Sequence, residues 1–438
     1  MKSVKVQKLS TGLSGSLSFP GDKSLSHRAI IFGSLAEGTS HFTNVLTGED
    51  CVCTRKAFEE MGVPIDVNNG GTELTIHGAG LHGLKAPKKD LYLGNSGTSM
   101  RLLMGLLAGQ NFSATLTGDP SLSNRPMKRV TEPLRRMGAK IEGKQDGNFA
   151  PIKIHGTKLK GIDYVMSMPS AQVKSALLLA GLYASGTTTI TEPVLSRNHT
   201  ENYLKYFGDD ISYNGLSMSI AGGKSLRAGK FKIAGDISSA AFFMALSALF
   251  PDSSIQFESV LSNPTRTGIF RALKTAGVDF SKMTGGSADT GPEPVVSGSL
   301  SAGPLRAFTI QKNELPSLID EIPILCVLAT QATGKSIIHD ADELRVKESD
   351  RIESIIDLLT PMGADIAAAG NTLFINGPTP LKGALVNSKK DHRIAMAGVV
   401  AGLIAEGETV VQDIDCIDTS FPTFFALLER LGAPFQIV

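Results

Sequence analysis

Six times along the chain a helix-like apolar stretch ends in a cluster of Leu, Ala and Gly: at Leu35-Ala36-Glu37-Gly38, Leu107-Ala108-Gly109, Leu182 to Gly186, Leu249-Phe250-Pro251, Leu328 to Gly334 and Leu403 to Gly407. A β-like run follows each, such as Thr187-Thr188-Thr189-Ile190 or Glu408-Thr409-Val410-Val411. A second helix then closes on Gly62, Gly138, Gly208, Gly277, Gly363 or Gly432, a residue suited to the left-handed position that ends a helix. Short alternating strands come next, as at Leu74-Thr75-Ile76-His77 and Thr372-Leu373-Phe374-Ile375. The unit is strand, helix, strand, helix and one or two further strands, about 70 residues long.

A chain of 438 residues is too long for one comfortable core, so two domains are expected, with three repeats in each. The sixth copy stops at Gln436-Ile437-Val438, before the final strand that the others possess, and the alternating Val4 to Leu9 segment can supply it. Both termini then lie in one domain, residues 1–20 plus 233–438, while residues 21–232 make the other. The chain would cross near Pro20-Gly21 and again between Gly229 and Gly235. Two crossing strands make a hinge, and a cleft between domains favours ligands.

Composition narrows the function class. Lys and Arg number 43 against 42 Asp and Glu, so no global field draws the protein to nucleic acid or a membrane surface, and anion binding must come from local clustering. The apolar run Ile322 to Ala329 suits a buried helix and is far too short to span a bilayer, and Met1-Lys2-Ser3 opens no signal peptide. A cytoplasmic protein is expected. The four cysteines have neither zinc spacing nor the density of a disulfide framework and read as reduced, structural thiols.

Charged residues gather at the starts of the repeat helices, beside Gly or Ser, where backbone N–H groups and the helix dipole favour an anion. The runs are Gly21-Asp22-Lys23-Ser24-Leu25-Ser26-His27-Arg28; Gly94-Asn95-Ser96-Gly97-Thr98-Ser99-Met100-Arg101 with Asn124-Arg125-Pro126-Met127; Ser170-Ala171-Gln172-Val173-Lys174-Ser175 with Ser196-Arg197-Asn198-His199; Asp320-Glu321 with Arg345-Val346-Lys347-Glu348-Ser349-Asp350-Arg351; and Asp391-His392-Arg393. The fourth repeat, opening Gly235-Asp236, lacks a basic residue there. One Lys-Ser pair at a helix start is ordinary capping, and one Lys-Glu-Asp-Arg cluster is an ordinary surface network. Surface charge has no reason to follow the repeat register in five copies, so convergence on one anionic site is expected.

In this order, and with Ser420-Phe421-Pro422-Thr423-Phe424 near the end, these motifs resemble the 5-enolpyruvylshikimate 3-phosphate synthase family of enolpyruvyl transferases from about residue 20 to 425. The resemblance implies an α/β fold of two domains, each an inside-out α/β barrel of three βαβαββ units. It also implies transfer of the enolpyruvyl group of phosphoenolpyruvate to the 5-hydroxyl of shikimate 3-phosphate, on the shikimate pathway to chorismate and aromatic amino acids. Carried over by position, Ser170, Ala171, Gln172 and Arg197 would grip shikimate 3-phosphate, with Lys23, Ser24, Arg28, Asp320 and Lys347. Arg125, Arg351 and Arg393 would hold phosphoenolpyruvate, helped by Lys23, Gln172 and the Gly97 backbone. Lys23, Asp320 and Glu348 are the acid and base candidates, and His392 is an orienting group.

No metal or organic cofactor is implied, no nucleic-acid or membrane partner, and a monomer is expected. The sequence departs from the family where Thr419 stands in place of a common Lys, which would leave the phosphoenolpyruvate site one cation short. Ala171 and Arg197 resemble a class tolerant of glyphosate, whereas Gly97 resembles the sensitive members. The rival transferase, acting on UDP-N-acetylglucosamine, would place Asn after the first Lys, where Ser24 stands. Gly223-Lys224-Ser225 and Gly334-Lys335-Ser336 lack the upstream Gly of a P-loop.

Overall fold

Six helices are buried on nearly every side, apolar round most of their surface with the charged residues near their starts. They are α1 (Lys23–Leu35), α2 (Gly97–Ala108), α3 (Ala171–Gly181), α4 (Ile237–Leu249), α5 (Ile322–Ala329) and α6 (His392–Ile404). Every residue of α5 is buried, as are Leu25 to Leu35 of α1 and His392 to Leu403 of α6. The computed structural model describes residues 2–286 and 291–438, and in it these helices form the interior of two compact units. One unit comprises Gly21–Ile233 and Ala288–Glu293; the other comprises Met1–Pro20, Ala234–Ser287 and Pro294–Val438. The first of these units takes in Ile233, one residue beyond the sequence expectation, and Glu293, which accepts a hydrogen bond from the buried His199.

The fold is mixed α/β. Each unit holds three sheets of four or five strands with one shared topology, and the second repeat shows it plainly: Leu91–Tyr92, Ser113–Thr117, Phe149–His155 and Lys140–Gly143, in that spatial order, begin with a parallel pair and continue antiparallel. The parallel pair is bridged by α2, as a parallel crossover requires. Among the described residues each sheet stays separate and none closes into a barrel of strands.

Three sheets draw a strand from far along the chain. Lys230–Lys232 and Leu226–Arg227 run parallel to Ala36–Thr43 in the first repeat's sheet, and Ser14–Ser18 runs parallel to Ser254–Leu261 in the fourth's. Ser3–Val6 lies between Thr409–Gln412 and Phe435–Ile437 in the sixth's.

The outer helices end as the pattern predicts: Gly62, Gly138, Gly208, Gly277, Gly363 and Gly432 all have φ between 78° and 100°, where a Cβ would be strained. Within the first unit α2 and α3 approach so closely that a Cβ on Gly105 would lie 2.0 Å from the carbonyl oxygen of Ala176. That contact fixes the relative placing of two helix starts that carry candidate residues. The aromatic rings of the Ser-Phe-Pro-Thr-Phe motif turn inward: Phe421 and Phe424 pack on each other and on Phe243 at centroid separations of 5.6 to 6.1 Å. In the family pattern this motif therefore reports on the core.

Candidate active site

Side chains at the starts of the inner helices are placed by their caps. Asp22 accepts from Leu25 N at the head of α1, Ser96 from Ser99 N at α2, Ser170 from Val173 N at α3 and Asp391 from Arg393 N at α6. Capping satisfies N–H groups that the helix leaves unbonded and sets the angle at which the first turn leaves the sheet.

In the first unit, Lys23 opens α1 with its Nζ 3.2 Å from Asp50. Ser24 follows, partly exposed, its carbonyl accepting from Arg28 Nη1 at 2.9 Å. Arg28 is buried; its Nε donates to Thr200 and its Nη2 to Ser175. Gly97, Arg125 and Gln172 come together around Arg101. Arg101 donates to Gln172 Oε1, Gln172 Nε2 donates to Thr98 at 3.0 Å, and Arg125 donates to Asn95 Oδ1. A Cβ on Gly97 would sit 2.9 Å from Arg101 Nη1 and 3.4 Å from Arg125 Nη1. The head of α2 thus faces two guanidinium groups. Ser170 and Ala171 cap and open α3, and Arg197 lies in the partly exposed loop before the helix His199–Tyr206.

In the other unit, Asp320, Lys347, Glu348, Arg351 and Arg393 form one network. Asp320 Oδ1 lies 3.5 Å from Lys347 Nζ, 3.3 Å from Arg351 Nη1 and 4.0 Å from Arg393 Nε. Arg351, only 1% exposed, also binds Glu348 at 2.7 Å and Asp391 at 2.8 Å. Burial would lower the pKa of Arg351, but Asp391, Glu348 and Asp320 outweigh it and hold the guanidinium more firmly protonated than usual. Burial would likewise raise the Asp391 carboxyl, and Arg351 overrides it to keep Asp391 ionised below the ordinary carboxylate range. Thr419 donates to the Cys416 carbonyl at 2.7 Å.

Four features were missed from sequence. Arg101 stood inside a quoted motif, and its spacing from Gly97 was the signal. Asp391 caps α6 and anchors Arg351, a role that the run Asp391-His392-Arg393 does not announce. In the fourth repeat, Arg266 comes from the loop after the strand and reaches the head of α4, donating to Ser238 at 2.6 Å. Lys174, Glu192 and Glu201 form a buried ionic cluster that no spacing announced. Among the described residues there is no group of three His, Cys, Asp or Glu arranged to hold a metal.

His27, between Lys23 and Arg28, is fully buried. Burial pulls its pKa down from 6.5 to about 4, and its Nδ1 meets Thr54 Oγ1 at 2.8 Å in a chain that runs through Ser99 to Ser96. A folded-state pKa below the unfolded one favours the neutral ring, so this stability is present above about pH 6.5 and is lost as pH falls toward 4, amounting to about 3 kcal/mol. The stability gap between wild type and His27→Gln, from urea melts, is expected to narrow by that amount between pH 7 and pH 4. A gap constant across that range would show that His27 is protonated alike in both states.

A family model described as EPSP synthase (3-phosphoshikimate 1-carboxyvinyltransferase) matches residues 8–428. The chain is similar to the 3-phosphoshikimate 1-carboxyvinyltransferase of Bacillus anthracis strain A0248, at 45% identity over 99% of this chain and 100% of that one. The same name, identity and coverage hold for a relative in Bacillus cereus strain B4264. Among solved structures, an EPSP synthase from Acinetobacter baumannii superposes with a TM-score of 0.90 at 42% identity, covering all of both chains.

Proposed function

The chain belongs to the EPSP synthase family, and from that premise we propose how its residues divide the work of 3-phosphoshikimate 1-carboxyvinyl transfer. The activity moves the enolpyruvyl group of phosphoenolpyruvate to the 5-hydroxyl of shikimate 3-phosphate and releases phosphate. The observation that carries the reading is the Asp320 carboxylate with Lys347, Arg351 and Arg393 within 4.0 Å. Few reactions other than those of polyanions call for so many cations around one titratable group.

Two phosphates at about −1.5 to −2 each, with two carboxylates, bring roughly five to six negative charges to the protein. Ser170, Ala171, Gln172 and Arg197 bind shikimate 3-phosphate at its phosphate and ring, while Lys23, Ser24, Arg28, Asp320 and Lys347 hold its carboxylate and hydroxyls. Arg125, Arg351 and Arg393 take phosphoenolpyruvate with Lys23, Gln172 and the Gly97 backbone, and Arg101 belongs with them because it shares Gln172. Guanidinium forks match both carboxylate and phosphate.

The 5-hydroxyl gives up its proton to a base as its oxygen attacks the central carbon of phosphoenolpyruvate, and the methylene carbon gains a proton from an acid. The C–O bond to phosphate then breaks while a proton leaves the new methyl group, restoring the double bond. Lys23, Asp320 and Glu348 exchange these protons, and the fixed arginines stabilise the charge that develops. The protein acts in the cytoplasm as a monomer, its units arranged as inside-out barrels. The three sheets of like topology in each unit, around helices buried all round, support that arrangement. Among the described residues no helix is long and apolar enough to cross a membrane.

Phosphate release that requires both shikimate 3-phosphate and phosphoenolpyruvate tests the activity. Release with UDP-N-acetylglucosamine as the acceptor instead would overturn it. Glyphosate is expected to compete with phosphoenolpyruvate, because Gly97 puts no side chain between the head of α2 and the guanidinium groups of Arg101 and Arg125. Gly97→Ala adds a methyl in contact with both guanidinium ends. The KM for phosphoenolpyruvate should rise about five- to tenfold, and the inhibition constant for the longer glyphosate at least about a hundredfold, the usual range for crowding a packed site. A wild-type enzyme that ignores millimolar glyphosate at normal phosphoenolpyruvate affinity would shift the decision to Ala171 and Arg197.

A further inference from the structure

Lys174, Glu192 and Glu201 are each no more than 1% exposed. Lys174 Nζ lies 2.7 Å from Glu192 Oε2 and 2.8 Å from Glu201 Oε1. Burying three charges carries a desolvation cost that their mutual attraction seldom exceeds by much, so stability alone is a weak reason for the cluster. Its hydrogen bonds point to another role. Glu192 accepts from the backbone N–H of Ser196 at 3.4 Å and from the Ser196 hydroxyl, while Lys174 Nζ donates to the Ser196 carbonyl at 3.5 Å. All three polar groups of Ser196 end on this one pair.

Ser196 immediately precedes Arg197, and the far side of Arg197 is held too. His199 bonds to Glu293 at 2.8 Å, and Thr200 Oγ1 is 2.6 Å from Ser175 and 2.8 Å from Arg28 Nε. Only Arg197 and Asn198 separate the two anchors. Because Lys174 sits on α3, two residues after Gln172, the anchor also ties this loop to the helix whose head carries Ser170 and Gln172.

We propose that Lys174 and Glu192 are positioning residues for shikimate 3-phosphate: they clamp Ser196 so that Arg197 meets the substrate phosphate in a preset place. The proposal rests on the reading that Arg197 grips that phosphate. A group held in place before the ligand arrives loses little freedom on binding, and a supporting layer of hydrogen bonds is what keeps such a group within the tolerance that recognition needs.

Steady-state KM for each substrate, calorimetric binding of shikimate 3-phosphate alone and urea melts test it in four variants. Ser196→Ala removes one hydroxyl, Glu192→Leu removes the acceptor, and Glu192→Gln keeps an acceptor for Ser196 while Lys174 stays paired with Glu201. Arg197→Met removes the group being positioned. The KM for shikimate 3-phosphate should rise about tenfold in Ser196→Ala and further in Glu192→Leu, the scale of losing hydrogen bonds to a charged group, and fall most of the way back in Glu192→Gln. The KM for phosphoenolpyruvate should stay within about twofold of wild type.

Parallel rises in both KM values, or a lowered urea midpoint with both KM values unchanged, would overturn the proposal in favour of a structural role. Should Glu192→Leu fail to fold, Ser196→Ala decides. If Arg197→Met loses affinity for shikimate 3-phosphate while the Ser196 and Glu192 variants keep it, the clamp is refuted and the role of Arg197 stands. If Arg197→Met binds normally, the underlying reading of Arg197 falls and the clamp falls with it.

Discussion

Asp320→Asn is expected to reduce kcat by about a hundred- to ten-thousandfold, the usual contribution of a positioned acid or base, with shikimate 3-phosphate still bound. The substitution keeps the shape and one acceptor but cannot exchange a proton at neutral pH. It also removes a negative charge from beside Lys347, Arg351 and Arg393, so those cations are less neutralised from within. Affinity for the phosphoenolpyruvate anion should therefore hold or improve. A lower kcat with an unchanged or lower KM for phosphoenolpyruvate would show that the Asp320 charge serves the chemical step, while the asparagine still hydrogen-bonds shikimate 3-phosphate. Glu348→Gln, joined to Asp320 by two hydrogen bonds through Arg351, should lower kcat by at least about a hundredfold on the same grounds. Equal losses of binding and turnover would reduce both carboxylates to positioning groups.

Arg351→Met should have the larger effect on stability. The side chain is 1% exposed and touches Asp391, Glu348 and Asp320. Removing one partner of a buried ionic network costs about 3–5 kcal/mol because the remaining charges stay buried, a large share of the roughly 5–15 kcal/mol that holds a domain folded. The pH dependence separates this cause from a simple loss of packing. In the wild type Asp391 titrates below its ordinary value, so its contribution is present at neutral pH and lost only as pH falls through that lowered value. In the variant the largest influence opposing burial is gone, although His392 remains, and the Asp391 pKa rises, so the penalty is full at neutral pH and relieved as the carboxyl takes up a proton. The urea midpoints of variant and wild type should converge on acidification from pH 7 to about pH 5. Parallel curves would show that cavity formation, not charge, explains the loss. Arg351→Lys keeps the charge without the fork and should fall between the two.

Much of this organisation was legible in the sequence because it rests on local rules. The six outer-helix glycines are forced by backbone sterics, and the starts of α1, α2, α3 and α6 carry the charged and Ser-rich runs that mark helix beginnings. The cations at the helix heads were visible for the same reason. What could not be read was which distant side chains meet. Lys347, Arg351 and Arg393 were each identifiable as cations, but nothing local says that Asp391 would anchor Arg351 from a helix cap 40 residues away. Arg28 was marked for substrate, and its bonds to Ser175 on α3 and to Thr200 on the helix His199–Tyr206 arise from helix packing that no spacing encodes. The pairing of Ser14–Ser18 with Ser254–Leu261 was equally hidden, because a short strand with weak alternation carries no address for its partner.

Those far-reaching strand pairings set a timetable for the emerging chain. On the ribosome, the sheets of the unit built on Gly21–Ile233 have all their strands once Lys232 has been made, since their last strand is Lys230–Lys232. Ser14–Ser18 must wait for Ser254, and Ser3–Val6 cannot be enclosed until Thr409–Gln412 and Phe435–Ile437 exist. Strands made early are thus among the last to be paired. At about 5–20 residues per second, Ser3–Val6 spends roughly 20 to 90 seconds as an unsatisfied strand, and its four-residue length with Lys5 at its centre keeps it a poor template for strangers in the meantime.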